Sequence, residues 1–215
     1  MAARRNVRKM RHMRRAAALL IGTVCIALAA TAGTARAGGG LLGGGLLGGG
    51  CGSLATVFSP WGDHASYYLA GNGGFESGST GWSLSGGASV VNGNEPFSLS
   101  GRGAHSLSLP AGASASINVC YGLTYPAVRF VVAGDGGSAT VHVRVVSRSL
   151  LGVLSILDGG TFQIGPGWNP APKLSTLFSA LASPLGSKSM TLIISSESGQ
   201  AQIDDLYVDP FLMKG

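Results

Sequence analysis

Charge is scarce in this chain of 215 residues: only 11% are Asp, Glu, Lys or Arg. Aromatic residues make up 7%, and cysteine occurs three times. Each shortage excludes a class of chemistry. No Gly-x-Ser-x-Gly pentapeptide precedes a helix, so a nucleophile-elbow hydrolase has no starting point. His64, His105 and His142 are scattered, and no His and Cys cluster at the spacing zinc requires. The run "GNGGFE" lacks the third glycine and the strand-to-helix setting of a dinucleotide fingerprint. Asp63, His64 and Ser66 are the residue types of a triad, but neighbours on an extended chain point apart. A glycosidase needs two carboxylates facing across a cleft, and nothing marks such a pair. There is no phosphate loop and no basic-aromatic surface for nucleic acid. The reading is a non-enzyme.

The charge that exists is unevenly placed. Residues 1–37 hold eight of the fifteen basic side chains and no acid, which leaves seven basic against nine acidic residues after them. The overall excess of positive charge therefore belongs to the leader. Arg4 to Arg15 form a basic start, and Ala16 to Ala30 an apolar run of 15 residues. That run is short for a bilayer core of roughly 30 Å. Ala35-Arg36-Ala37 then supplies the small residues of a signal-peptidase site, so 1–37 reads as a secretory signal peptide cleaved after Ala37. An uncleaved anchor is the alternative, and the export route, general secretory or twin-arginine, stays open. The expected destination is extracellular or cell-wall associated, with no membrane attachment after cleavage.

Residues 38–50, "GGGLLGGGLLGGG", read as a flexible tether, since glycine loses the most backbone entropy on ordering. The Leu-Leu pairs are the one sticky feature in it. Cys25 leaves with the leader, so Cys51 and Cys120 remain as an even pair in an oxidising compartment. Their disulfide closes a loop of 69 residues. Such a loop constrains the unfolded chain by roughly 4 kcal/mol. Lipid modification of Cys51 is the alternative.

From Phe58 onward the pattern is strand and turn. "HSLSLP" places Leu107 and Leu109 on one face and serines on the other, and "TVHVRVV" sends Val141, Val143 and Val145 inward with His142 and Arg144 outward. "SINVCY", "AVRFVVA", "LSILDG", "TFQIG", "MTLIIS" and "QIDDLYV" continue the series, divided by "NGN", "AGDGGS" and "SESGQ". Only "KLSTLFSALA", 173–182, suits a helical turn. The expectation is an all-β chain forming a single antiparallel β-sandwich of jelly-roll type over 51–215, with a preface at 51–70 and a core from about 70 to 210.

Two stretches carry a resemblance: "NGGFESGSTGW" at 72–82 and "AQIDDLYVDP" at 201–210. Together they resemble the carbohydrate-binding jelly-roll modules of the cellulose- and xylan-binding type, among the galactose-binding-like sandwiches. The chain is also similar to small secreted actinobacterial proteins that share the "SPWGDHASYYLA" preface. The resemblance implies that the first and last strands lie side by side around a structural calcium. Its ligands would be Glu76 and Asp204, with Asp205 beside them, because calcium takes six to eight oxygens. The break in alternation at Asp204-Asp205 fits a carboxylate turned inward, while Phe75 and Trp82 fall in the core. Otherwise Glu76 accepts backbone N–H groups and the aspartates are solvated. A glycan or cell-wall polymer is the implied partner, with Trp168, Tyr125 and Trp61 as candidates to stack on sugar rings. The competing reading is a structural or interaction protein of the cell surface that holds no small ligand.

Overall fold

Alternation of apolar residues becomes two antiparallel sheets in the computed structural model, which describes residues 51–120, 127–148, 154–175 and 189–210. The signal segment, the glycine-leucine tether and Tyr125 lie outside the described residues. After one 3-10 turn at Ser59–Trp61, the chain order is β1 (Tyr68–Leu69), β2 (Trp82–Ser85), β3 (Ser89–Asn92), β4 (His105–Leu109), β5 (Ser114–Cys120) and β6 (Ala127–Gly134). There follow β7 (Ala139–Arg148), β8 (Leu154–Ile164), β9 (Asn169–Pro170), β10 (Leu174–Ser175), β11 (Ser189–Ser198) and β12 (Ala201–Asp209). One sheet has seven strands in the order β10-β6-β12-β4-β3, with β1 added on β12 and β9 on β6. The other has five, in the order β2-β5-β11-β7-β8. The expected all-β sandwich is what forms.

The core lies between them. Val141, Val143 and Val145 of β7 and Leu192 and Ile194 of β11 face Val128, Phe130 and Val132 of β6 and Ile203 and Val208 of β12. Each such side chain contributes roughly 1.5–3 kcal/mol on burial, which makes this layer the main source of stability. Ser106 and Ser108, expected on the face opposite the leucines, are themselves buried, and Ser108 Oγ accepts a hydrogen bond from Gln200 Nε2 at 3.1 Å. One expectation needs correction. Leu174–Ser175, read as helical, pairs instead with Val128 and Ala127 at the sheet edge, where a ladder satisfies its backbone; 176–182 lies outside the described residues.

A cover on the outer side of the seven-stranded sheet comes from the preface. An antiparallel bridge between Ala55 and Tyr67 closes residues 55–67 into a strap. Phe58 is fully buried at its centre, edge-on to Tyr67 at 5.1 Å and to Tyr207 at 5.7 Å. The Arg129 guanidinium carbon stands 4.8 Å from the same ring centroid. With Val131 these residues form a second apolar cluster on the outside of the sheet. Asp63 ties it down: its carboxylate accepts the Tyr67 hydroxyl proton at 2.6 Å, an Arg129 Nη1–H at 2.8 Å and the Ala65 N–H at 3.1 Å. The Lys173 ammonium lies 3.6 Å away. At its start the strap is held by the Cys51–Cys120 disulfide, at the end of β5 in the other sheet.

Removing one partner of a buried ion pair leaves the other charge uncompensated, at a cost of roughly 3–5 kcal/mol. Asp63→Ala should therefore lower unfolding free energy by about 3 kcal/mol in a denaturant titration. The same variant should also expose Trp61 to a neutral fluorescence quencher. Unchanged stability and quenching would show that the strap is held by its apolar contacts alone.

Candidate functional site

The turn from 72 to 82 is organised by one side chain. Asn72 Nδ2 donates to the Gly78 and Thr80 carbonyls at 2.8 and 3.0 Å, and its Oδ1 accepts the Ser77 N–H at 3.0 Å. Trp82 Nε1 donates back to the Asn72 carbonyl at 3.1 Å. Phe75 and Trp82 are both buried, with ring centroids 4.9 Å apart. Gly73 sits so close to β12 that an added Cβ would lie 2.7 Å from the Leu206 carbonyl oxygen, so no larger residue fits. The first and last motifs therefore meet, as the resemblance implied.

At that meeting point β12 carries a bulge. Asp204 opposes Val131 and Tyr207 opposes Arg129, so two residues on β12, Asp205 and Leu206, stand against one on β6, Phe130. Asp205 takes the extra place with φ 50°, a left-handed conformation that Asp tolerates better than most residues. The bulge breaks the alternation and turns both aspartates away from the main core. Neither is solvated: Asp204 and Asp205 are buried, and Glu95 is buried with them. Asp204 accepts the N–H groups of Glu95 and Asp205 at 3.1 and 2.8 Å. Glu95 accepts those of Phe97 and Leu99, and Asp205 Oδ2 that of Ser100 at 2.9 Å. Three carboxylates thus fasten the 95–100 loop to β12.

Glu76 does not join them. Its Oε1 accepts the Ala104 and His105 N–H groups at 2.8 and 3.0 Å, and its Oε2 faces His105 Nδ1 at 3.3 Å. Its slight burial works against ionisation, but these donors outweigh it and hold the carboxyl below its ordinary range. Glu95, which sequence reading passed over, occupies the place by the aspartates instead. Its signals were faint: membership of the nine acids after the leader, and a proline next in sequence.

The donor chemistry suits a hard cation. No cationic side chain among the described residues pairs with Glu95, Asp204 or Asp205, and the buried Asp205 Oδ1 has no hydrogen-bond partner. The oxygens are turned toward backbone amides, and no three His, Cys, Asp or Glu among the described residues converge as a finished metal cage. Burial first, then the neighbouring charges of Asp205 and Glu95, push Asp204 up to about 7. Burial and Asp205 likewise raise Glu95.

The candidate sugar-stacking residues fall on the covered side. Trp61 is half-buried against the second cluster and edge-on to the exposed Phe97 at 4.9 Å. Trp168, at the end of the β8–β9 loop, is half-buried against the same cluster. The structure brings Trp61 and Trp168 to one cluster, which meets the buried acids through the 95–100 loop: Trp61 packs on Phe97 and Leu99 lies against the cluster, and Glu95 accepts the N–H groups of both loop residues.

The outer face of the five-stranded sheet is different. Two rows cross it: Ser83, Ser116, Ile193, Arg144 and Asp158, then Ser85, Ser114, Ser195, His142 and Thr161. Asn118 Oδ1 accepts the Thr191 hydroxyl proton at 2.7 Å one row further on. His142 spans two carboxylates, with Nε2 2.9 Å from Asp158 and Nδ1 3.1 Å from Glu197. Among the described residues this face carries no Phe, Trp or Tyr. It is a lattice of hydroxyl, amide, imidazole, guanidinium and carboxylate groups held by the ladder beneath, broken by Ile193 in the first row and by Val146 and the exposed Ile156 in the row of Asn118 and Thr191.

The fold is that of the carbohydrate-binding jelly-roll modules. The chain is similar to the tandem CBM22-1–CBM22-2 domain of Paenibacillus barcinonensis Xyn10C, with TM-score 0.50 and 17% identity over 70% of this chain. It spans 46% of that tandem chain. It is also similar to the single CBM22-1 xylan-binding domain of Xyn10C, with TM-score 0.49, 18% identity, and 67% of this chain and 94% of that one covered. TmCBM61 in complex with β-1,4-galactotriose gives TM-score 0.41 and 19% identity, covering 64% and 94%. No sequence family matches the chain, and no curated protein does.

The buried acids give a pH test. Asp204 and Glu95 have folded-state pKa values above their unfolded ones, so the folded protein retains protons that the unfolded chain gives up. Stability in chelator should be greatest near pH 4 and fall as pH rises toward and through about 7, by a few kcal/mol. Asp204→Asn should flatten that descent. A melting midpoint that climbs over the same range would contradict the placement of these acids.

Proposed function

We propose that this chain is a secreted, non-catalytic glycan-binding module that takes a cell-wall polysaccharide across the outer face of its five-stranded sheet. The observation carrying the proposal is the asymmetry of the sandwich: one outer face is covered by the strap, and the other presents the polar lattice. The shared fold favours the same class of ligand. With no aromatic ring on that face among the described residues, binding rests on hydrogen bonds, each worth a net 0.5–1.5 kcal/mol or roughly twice that at a charged group. Arg144 is the strongest single donor there.

Retention on soluble xylan and galactan in affinity gels tests this. Arg144→Ala should weaken retention about tenfold, since a charged hydrogen bond is worth roughly 1.5–3 kcal/mol. Trp61→Ala and Trp168→Ala should leave it unchanged. Loss of retention in the tryptophan variants alone would move the site to the covered side. Secretion is supported by the leader, and the intact mass of protein from culture medium should begin at Gly38.

Calcium belongs to the same proposal as a structural ion. Asp204 and Asp205, with its unpartnered Oδ1, would be its carboxylate ligands, and it would supply the positive charge that they and the neighbouring Glu95 lack. At a hundredfold excess over Kd, binding stabilises by about 2.7 kcal/mol, so chelator should lower the melting midpoint by several degrees. Glu95→Gln should blunt the response and Glu76→Gln should not. An indifferent midpoint would remove the ion from the account.

One observation favours the interaction-protein reading. Leu154 and Ile156 stand 50% and 61% exposed on the edge strand β8, a surface suited to protein contact. Light scattering of wild type against Ile156→Lys tests it. Association lost in the variant, together with no retention on any glycan, would favour that reading.

A further inference from the structure

At the lateral opening of the sandwich, where β8 and β9 approach, lies a cavity of about 270 Å³. Its lining includes Val132 and Ala171, Phe162, and the polar residues Gln163 and Asn169. Gly165 and Gly167 bring bare backbone to its rim. We infer that this cavity is a second binding site, for a single neutral sugar ring such as the end of a glycan chain.

The size comes first. Sites for drug-sized ligands run to roughly 300–1,000 Å³, so this cavity is suited to one ring and not to a run of several. The chemistry follows. A pyranose has an apolar face of C–H groups and a rim of hydroxyls. Phe162 offers an aromatic wall, held by core packing and by Phe130 with centroids 6.2 Å apart. Asn169 is pinned by its Nδ2–H to the Gly167 carbonyl at 3.0 Å, which orders an amide beside the cavity before any ligand arrives. Gln163 adds a second amide, and the glycines add backbone groups that accept or donate to hydroxyls.

The lining contains no charged side chain. An anionic sugar would bury its carboxylate against Val132 and Phe162 with no cation to compensate, a penalty a neutral ring escapes. The cavity therefore selects neutral rings over uronic acids. Position adds a consequence. Gln163 opposes Thr140 on β7, so the cavity lies at the β8 margin of the sheet that carries the polar face. A chain crossing that face has a place for its terminal ring there. This extension rests on the glycan-binding reading above; the cavity's own selectivity does not.

Gly165 supplies a clean test. An ideal Cβ built there meets nothing within 4 Å and its φ is not left-handed, so Gly165→Leu adds bulk at the cavity's rim without straining the fold. The probes are methyl β-xyloside, methyl β-galactoside and glucuronate, titrated into the full mature chain and followed by NMR line shifts. Wild type should bind at least one neutral glycoside at least tenfold more tightly than glucuronate. Gly165→Leu should lose that binding with its melting midpoint unchanged, and Asn169→Ala should weaken it several-fold. Equal binding of glucuronate, undiminished binding by Gly165→Leu, or no binding of either glycoside by wild type would overturn the inference. Polysaccharide retention reads separately. Retention without glycoside binding sinks the cavity and leaves the sheet face standing, whereas glycoside binding that Gly165→Leu abolishes supports the cavity even where retention fails.

Discussion

The Asp63 carboxylate decides which face of this sandwich meets solvent. Burial alone would favour its neutral form, but the Tyr67 hydroxyl, the Ala65 N–H and the Lys173 and Arg129 charges outweigh that and hold it ionised. An ionised group with four partners fixes the strap over Arg129, and the strap seats Phe58 on the seven-stranded sheet. Apolar burial by Phe58, Tyr67, Val131 and Tyr207 then makes the cover a second small core. Without the pinned strap Val131 and Tyr207 would lose the cover that Phe58 and Tyr67 give them.

Sealing one side leaves the other as the face proposed to take glycan. The five-stranded sheet turns Ser, Thr, Asn, His and Arg side chains outward, interrupted by Ile193, Val146 and Ile156, and cross-strand pairs such as Thr191 with Asn118 and Ser85 with Ser114 order the polar groups in advance. Groups fixed by a ladder lose little freedom when a ligand docks, which compensates in part for the lack of stacking rings. At the opposite sheet, the bulge at Asp204-Asp205 uses buried charge to hold the 95–100 loop. That arrangement is costly in a chain with so few acids, and it accounts for the affinity for protons or a hard cation expected there.

The strands were legible because period-2 alternation is a direct consequence of a sheet with one buried face. "TVHVRVV" shows this, with His142 and Arg144 outside as read. "HSLSLP" placed Ser106 and Ser108 opposite the leucines but did not show their burial, because alternation reports which residues face the core, not whether those opposite are also buried. The bulge was visible as two consecutive aspartates in an otherwise alternating run. Glu95 was not, since a loop residue acquires its partners only through long-range folding, 109 residues from Asp204. The burial of Trp168 was hidden for a related reason. A Pro-Gly setting around Trp168 indicates a loop, but whether that loop lies against an apolar cluster depends on a strap more than 100 residues earlier.

The most direct measurement of the account is an amide and side-chain NMR titration of the mature chain with a soluble xylan or galactan oligosaccharide. The account predicts shifts concentrated on Asn118, His142, Arg144 and Thr191 of the five-stranded sheet, with Phe58, Trp61 and Tyr67 of the strap unmoved. Shifts centred on Trp61, Phe97 and Trp168, with the five-stranded sheet silent, would contradict it.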